Sequence, residues 1–143
     1  MRFPTWLKVY GAISYRGQCP TESAEQITFF NKIRDRHPET WGLIALHPRN
    51  EGKRHYGQVN REKLEGMTKG ASDIIIPGCP SFVCELKRRD HTQSLWQPGQ
   101  LEYLETAQKM GAFVCVALGA LEALIAFEDY LKVANAGMMH RNG

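Results

Sequence analysis

Residues 69–90, KGASDIIIPGCPSFVCELKRRD, constrain this chain more than any other stretch. Two short runs rich in isoleucine, phenylalanine and valine flank PGCPS, a turn of proline, glycine and serine. That grammar predicts an antiparallel hairpin. Yet Asp73 opens the first arm, and Glu85 and Lys87 sit inside the second. Charges are costly in apolar surroundings unless they are partnered, so the hairpin must bring these groups a use.

Alternate residues of a strand share a face. Glu85 and Lys87 therefore point one way, and Cys84 and Leu86 the other. Folding the hairpin about its turn pairs Ile76 with Phe82, Ile75 with Val83, Ile74 with Cys84 and Asp73 with Glu85. Directly opposed residues have Cβ atoms about 4.5–5.5 Å apart on one face. Two carboxylates then meet with a lysine beside them, and a slip of one residue would separate them. Adjacent carboxylates resist joint ionisation. A divalent cation removes that conflict: magnesium takes one or two carboxylates plus waters and leaves room for phosphate. It eases deprotonation of water and polarises a phosphate oxygen. A desolvated Lys87 could hold the attacking water, lower its pKa or stabilise charge growing on phosphorus. The set suits phosphodiester hydrolysis. The plainer alternative is a structural salt bridge of Asp73 or Glu85 with Lys87 at a sheet edge.

Around the hairpin, residues 7–13 allow a short strand. The segment CPTESAEQITFFNKIRDRHPE reads as a helix capped by Thr21 or Ser23 and ended by Pro38, with Ile27, Phe29, Phe30 and Ile33 on its apolar side. GLIALHP reads as a strand over 43–46. The polar, basic, glycine-rich stretch that follows is mostly loop, with a short helix near 60–67. GQLEYLETAQKM is a helix, AFVCVAL a fully apolar strand, and ALEALIAFEDYLKVAN a last helix whose Leu121, Leu124, Ile125 and Phe127 read as core. Residues 135–143 read as a frayed tail. A crossover helix between FVCELK and AFVCVAL makes those strands parallel. The expected class is α/β, a mixed β-sheet flanked by helices.

The 143 residues fit one domain. The net charge of +3 proves no anionic partner, but its distribution is uneven: Arg49, Lys53, Arg54, Arg61, Lys63 and Lys69 precede the hairpin, and Lys87, Arg88 and Arg89 close it. Such basic stretches bind phosphates, or are simply a solvated surface. Cys19, Cys79, Cys84 and Cys115 form no zinc-spaced set; Cys84 and Cys115 read as small core residues, and a reducing compartment fits. No apolar run approaches 18 residues, so no membrane span is expected, and the N-terminus lacks a signal peptide's apolar region. A cytoplasmic protein is expected.

The pattern SD, eleven residues, then ELK resembles the motif of the PD-(D/E)xK nuclease superfamily, with Ser72 where proline is usual. The order TESAEQITFFNKIRDRHPE, HPRNEGKR, KLEGMTKGASDIIIP, FVCELKRRD, QPGQLEYLETAQKMGAFVCVAL and EALIAFEDYL is similar to the VRR-NUC family, in its short stand-alone phage or prophage form. The resemblance implies a restriction-endonuclease-like fold over 21–134, after an N-terminal extension of 1–20. It also implies DNA cleavage dependent on Mg2+ or Mn2+. By position, Asp73, Glu85 and the Leu86 carbonyl match the metal ligands, Lys87 the catalytic lysine, and Gln100 a glutamine at the start of the crossover helix, with Gln97 a rival. A family glutamate on the first helix matches Glu22 or Glu25; helical geometry puts Glu22 on the arc of Gln26, Phe29 and Ile33 and so favours it. Asn50, Lys53 and Arg54, with Lys69, correspond to a polar stretch before the motif acid and are expected to contact DNA phosphates, as are Arg88 and Arg89. His47, His55 and His91 are available as water-activating bases, and Trp96 and Tyr56 for base stacking. Relatives of this kind act as homodimers on branched DNA such as Holliday junctions. A non-catalytic DNA- or protein-binding module on the same fold is the alternative.

Overall fold

A computed structural model describes residues 1–48 and 56–142, with the side chains of 56–59 and 135–142 outside the description. Four strands form one mixed sheet in the order β1-β4-β3-β2. They are β1 (Lys8–Tyr10), β2 (Ile74–Ile76), β3 (Phe82–Lys87) and β4 (Phe113–Leu118). The helices are α1 (Glu22–Arg36), α2 (Trp41–Ile44), α3 (Tyr56–Leu64), α4 (Gln100–Lys109) and α5 (Ala120–Asn142). This is the expected α/β class.

The hairpin has the register its sequence implies. Ile74 pairs with Cys84, Ile75 with Val83 and Ile76 with Phe82, antiparallel. β3 and β4 run parallel through six pairs, joined by the crossover through α4. Parallel strands need such a crossover. Residues 1–20 do not stand apart from the domain: β1 pairs in parallel with β4 and completes the sheet's other edge.

Alternation divides the core into two layers. Phe82, Cys84, Leu86, Cys115 and Ala117 face α1 and α5, against Phe29, Phe30, Ile33, Leu124, Phe127 and Tyr130. Val83, Val114 and Val116 face α4 and the N-terminal segment, against Leu104 and Leu7. The Phe82 ring lies 5.2 Å from Tyr130 and 5.8 Å from Phe127 and Phe113. Removing such a buried aromatic typically costs about 3–5 kcal/mol. Glu85 and Lys87 share the Val83 face, so they point into the layer beneath the start of α4.

The strand expected over 43–46 is instead the single helical turn α2, and only Leu46 makes a bridge, to Ile75. Gly42 explains the difference. A Cβ there would lie 2.6 Å from the carbonyl oxygens of Ile33 and His37, so the chain folds tightly onto the end of α1 and has no room to extend. Leu121, Ile125 and Ile27, expected in the core, are exposed, while Leu124 and Phe127 are buried. A one-sided helix buries one stripe, and these three lie off it. The backbone expected as a tail from 135 continues α5 to Asn142; alanine and methionine sustain a helix, and one glycine costs only about 1 kcal/mol. Among the described residues no helix is long and apolar enough to cross a membrane.

Candidate active site

Asp73 sits one residue before β2, opposite Glu85, as the register requires. Its Oδ2 accepts a hydrogen bond from the Leu86 N–H at 2.9 Å. Its backbone carbonyl lies 2.7 Å from His47 Nδ1. A carbonyl only accepts, so His47 carries its proton on Nδ1 and donates. Both peptide groups of a residue in an antiparallel pair point to the same side. The Leu86 carbonyl therefore turns toward the Asp73 side, past the end of β2.

Glu85 is fully buried, and among the described residues no group donates a hydrogen bond to its Oε2. Burial pushes its carboxyl well above the ordinary glutamate range, and the facing Asp73 carboxylate pushes it further; Lys87 pulls the other way. A buried acceptor without a donor costs about 1–3 kcal/mol. The carboxylate pair thus fits a cation: two acceptor-rich side chains face each other, one oxygen is orphaned, and a backbone carbonyl points to the same side. Among the described residues no group of three or more acidic, histidine or cysteine side chains converges to hold a metal. Magnesium needs only one or two carboxylates, since waters complete its shell.

Lys87 is 1% exposed. Its ammonium donates to the Leu95 carbonyl at 2.7 Å and to Gln100 Oε1 at 2.9 Å. The Trp96 ring centroid is 5.1 Å from Nζ. Gln100 connects the two charged groups, because its Nε2 donates to Glu85 Oε1 at 3.1 Å. The Gln97 N–H donates to Gln100 Oε1 at 2.8 Å, so between the two glutamines it is the Gln100 side chain that joins the cluster.

The two candidate glutamates separate by role. Glu22, at the first turn of α1, has Oε1 4.0 Å from Lys87 Nζ and Oε2 accepting from Ser94 Oγ at 2.8 Å. Glu25 is buried on the far side. It accepts from the Ala120 N–H at the start of α5 at 2.9 Å and pairs with Arg89 at 3.5 Å. A carboxylate there complements the helix dipole. Glu22 belongs to the cleft and Glu25 to the fold.

The cleft over these groups has a volume of about 470 Å³. Glu22, His47, Lys69, Asp73, Lys87 and Gln100 line it. One wall depends on two glycines. Gly70 has φ +78°, and a Cβ on it would lie 2.3 Å from Gly99 C. That close approach presses the Lys69 loop against the start of α4. Lys69 is exposed beside the cleft, where a phosphate contact was expected. Arg88 instead donates to the carbonyls of Pro20 at 3.1 Å and Cys19 at 2.6 Å, and Arg89 pairs with Glu25. Both arginines thus have intramolecular partners. Asn50, Lys53, Arg54 and His55, and the Tyr56 side chain, lie outside the described residues. His91 is buried 5.1 Å from the Phe3 ring, away from the cleft.

Sequence reasoning did not single out Ser94 or Leu95, which hold Glu22 and Lys87. Leu95 acts through its backbone carbonyl, which any residue carries, so no side-chain signal could have found it. Ser94 sits in a polar loop where a hydroxyl is unremarkable.

No family model and no curated protein matches the chain. Among solved structures, a VRR_NUC domain protein is similar in fold, with a TM-score of 0.61 and 21% identity, over 82% of this chain and 92% of that one. At that identity the likeness speaks for the nuclease-like fold alone.

Proposed function

We propose that this chain is a DNA endonuclease that depends on Mg2+ or Mn2+ and hydrolyses phosphodiester bonds. The observation that carries the reading is the buried meeting of Asp73 and Glu85, with an orphaned carboxylate oxygen, beside a lysine held by Gln100 and the Leu95 carbonyl. A fold shared with a VRR_NUC domain protein supports it.

Asp73, Glu85 and the Leu86 carbonyl would hold the cation, with Glu22 reaching it through water. When bound, a divalent cation supplies charge neutralisation for the carboxylates and Lewis acidity toward a phosphate oxygen. The remaining roles belong to the chain. Lys87, fixed by two acceptors, presents a desolvated ammonium to the attacking water or to charge growing on phosphorus. Gln100 keeps Lys87 and Glu85 at a set spacing and so links the charge-stabilising group to the ligand pair. Lys69 grips a phosphate at the cleft wall. Water attacks phosphorus in line, and the bond to the leaving oxygen breaks.

The finer reading is a structure-specific enzyme of phage or prophage DNA replication, repair or recombination. It resembles a Holliday-junction resolvase, acts as a homodimer, and works in the host cytoplasm. Two symmetric copies of one site suit a two-fold branched DNA. The described cysteines are all free thiols, which suits a reducing compartment. The test incubates the protein with labelled four-way junctions, flaps, duplex and single strands, in Mg2+, Mn2+ or EDTA, beside Asp73→Ala and Lys87→Ala. Cutting that requires the cation and both residues is the expected result. Binding without cutting under every metal would make the chain a DNA-binding module, and cutting that survives EDTA or either substitution would place the chemistry elsewhere.

A further inference from the structure

Residues 1–20 do more than add an edge strand. They close onto residues 88–96, the segment that follows β3 and carries the Leu95 carbonyl that accepts from Lys87 and the Ser94 hydroxyl that donates to Glu22. Trp96 Nε1–H donates to the Arg2 carbonyl at 2.8 Å. The Phe3 ring meets Trp96 edge-on at 6.2 Å and His91 at 5.1 Å. His91 Nε2 lies 3.0 Å from the Ile13 carbonyl. The Gly17 N–H donates to Asp90 Oδ2 at 3.1 Å, and Gln93 Nε2 donates to the Gly17 carbonyl at 2.9 Å. Arg88 reaches the carbonyls of Cys19 and Pro20. The clasp thus engages the loop from Arg88 through Trp96.

Lys87 immediately precedes that loop, and the loop's far end folds back onto it. The Leu95 carbonyl takes one of its protons at 2.7 Å, and the neighbouring Trp96 ring lies 5.1 Å from the ammonium. A cation against an aromatic face gains from desolvation; this lysine is 1% exposed and the Trp96 ring is half-buried. Such a contact holds the charge only if the ring is itself held. Here the ring is fixed by one hydrogen bond to the N-terminal segment and by an edge contact with Phe3.

We infer that Trp96 is a positioning residue for Lys87, and that the N-terminal segment sets the lysine's place by clasping Trp96 through Arg2 and Phe3. The consequence rests on the reading of Lys87 as the charge-stabilising group of a nuclease. A positioning role has a signature that loss of fold lacks. The chemical step slows, while the carboxylate pair that would hold the cation, and the surfaces that meet DNA, stay as they were.

The experiment compares wild type with Trp96→Leu, Trp96→Phe and Phe3→Ala in three measurements: kcat and KM for DNA cleavage, Mn2+ affinity by calorimetry, and the NMR shift of the Lys87 Hε protons, assigned through Lys87→Met. Trp96→Leu removes the ring. It is expected to lower kcat about tenfold, to leave KM and Mn2+ affinity within about twofold, and to abolish the upfield ring-current shift of Lys87. Trp96→Phe keeps a ring but loses the bond to Arg2, and it and Phe3→Ala are expected to fall between, which also covers a Trp96→Leu that does not fold. An unchanged kcat in all three variants would overturn the inference. So would a parallel loss of kcat, Mn2+ affinity and melting temperature, which is the mark of a merely structural residue. If wild type cuts no DNA, the nuclease reading fails by itself. The Lys87 shift then decides the clasp: unmoved in Trp96→Leu it refutes it, and lost it upholds it.

Discussion

Asp73 and Leu86 are joined by one hydrogen bond, 2.9 Å from the Leu86 N–H to Asp73 Oδ2, just past the last paired residues of the hairpin. The bond makes Asp73 both a clip between the two arms and a candidate ligand. Asparagine can keep the first role and lose the second. In EDTA, Asp73→Ala should destabilise the protein by about 1–3 kcal/mol, the cost of a buried N–H without an acceptor, whereas Asp73→Asn should cost distinctly less. Both should lose any rise in melting temperature that Mg2+ or Mn2+ confers. Denaturant melts with and without cation separate the two roles.

Glu85 makes metal-free stability depend on pH. Its folded-state pKa is raised, chiefly by burial and then by Asp73. The native state therefore keeps a proton that the unfolded chain has already lost. Stability associated with this group is full below the ordinary glutamate pKa and is lost as pH rises toward the elevated value. Glu85→Gln cannot ionise and should flatten this decline. In EDTA the variant should gain on wild type as pH rises above the ordinary glutamate range, and added Mg2+ should narrow the gap by stabilising wild type alone. Thermal melts across that rise check the sign.

Glu22 and Glu25 should respond in opposite ways. Glu25→Ala leaves the Ala120 N–H without its acceptor and Arg89 without its partner, a loss on the order of 1–3 kcal/mol, with Mn2+ affinity nearly unchanged. Glu22→Ala removes a partly exposed carboxylate and should change stability by less than about 1 kcal/mol, while cleavage falls. Measuring stability and turnover on both variants tests the assignment.

The cleft wall should be sensitive to a single methyl group. Gly70→Ala forces a Cβ against the Gly99 backbone at a positive φ, so the Lys69 loop must move and cleavage should drop at least tenfold. Gly111→Ala is the control. It also has a positive φ, +102°, but nothing lies within 4 Å of the added carbon. It should cost only about 1 kcal/mol of backbone strain and leave the site alone.

The hairpin was legible because period-2 alternation and a short turn fix a register, and Asp73, Glu85 and Lys87 follow from that register by counting. Gln100 and Glu22 came from resemblance, and the structure brings both to Lys87; the helical arc that favoured Glu22 did not hold, because Glu25 is the glutamate buried with Phe29 and Ile33. What escaped is of two kinds. Residues 43–46 are a short apolar run whose periodicity does not distinguish strand from helix, and the deciding contact is a glycine against the end of α1. The clasp of residues 1–20 runs through backbone carbonyls of Arg2, Ile13, Gly17, Cys19 and Pro20, which no residue type announces. The pairing of β1 with β4 joins segments about a hundred residues apart, beyond the reach of local patterning.

The proposed chemistry requires Asp73 and Glu85 to share one divalent cation. Crystals grown with Mn2+ and measured at its absorption edge test it most directly. An anomalous peak is expected between the two carboxylates, on the side of the Leu86 carbonyl, and absent from Glu85→Gln. A clean map with no peak there, or with manganese bound at a different group of residues, would contradict it.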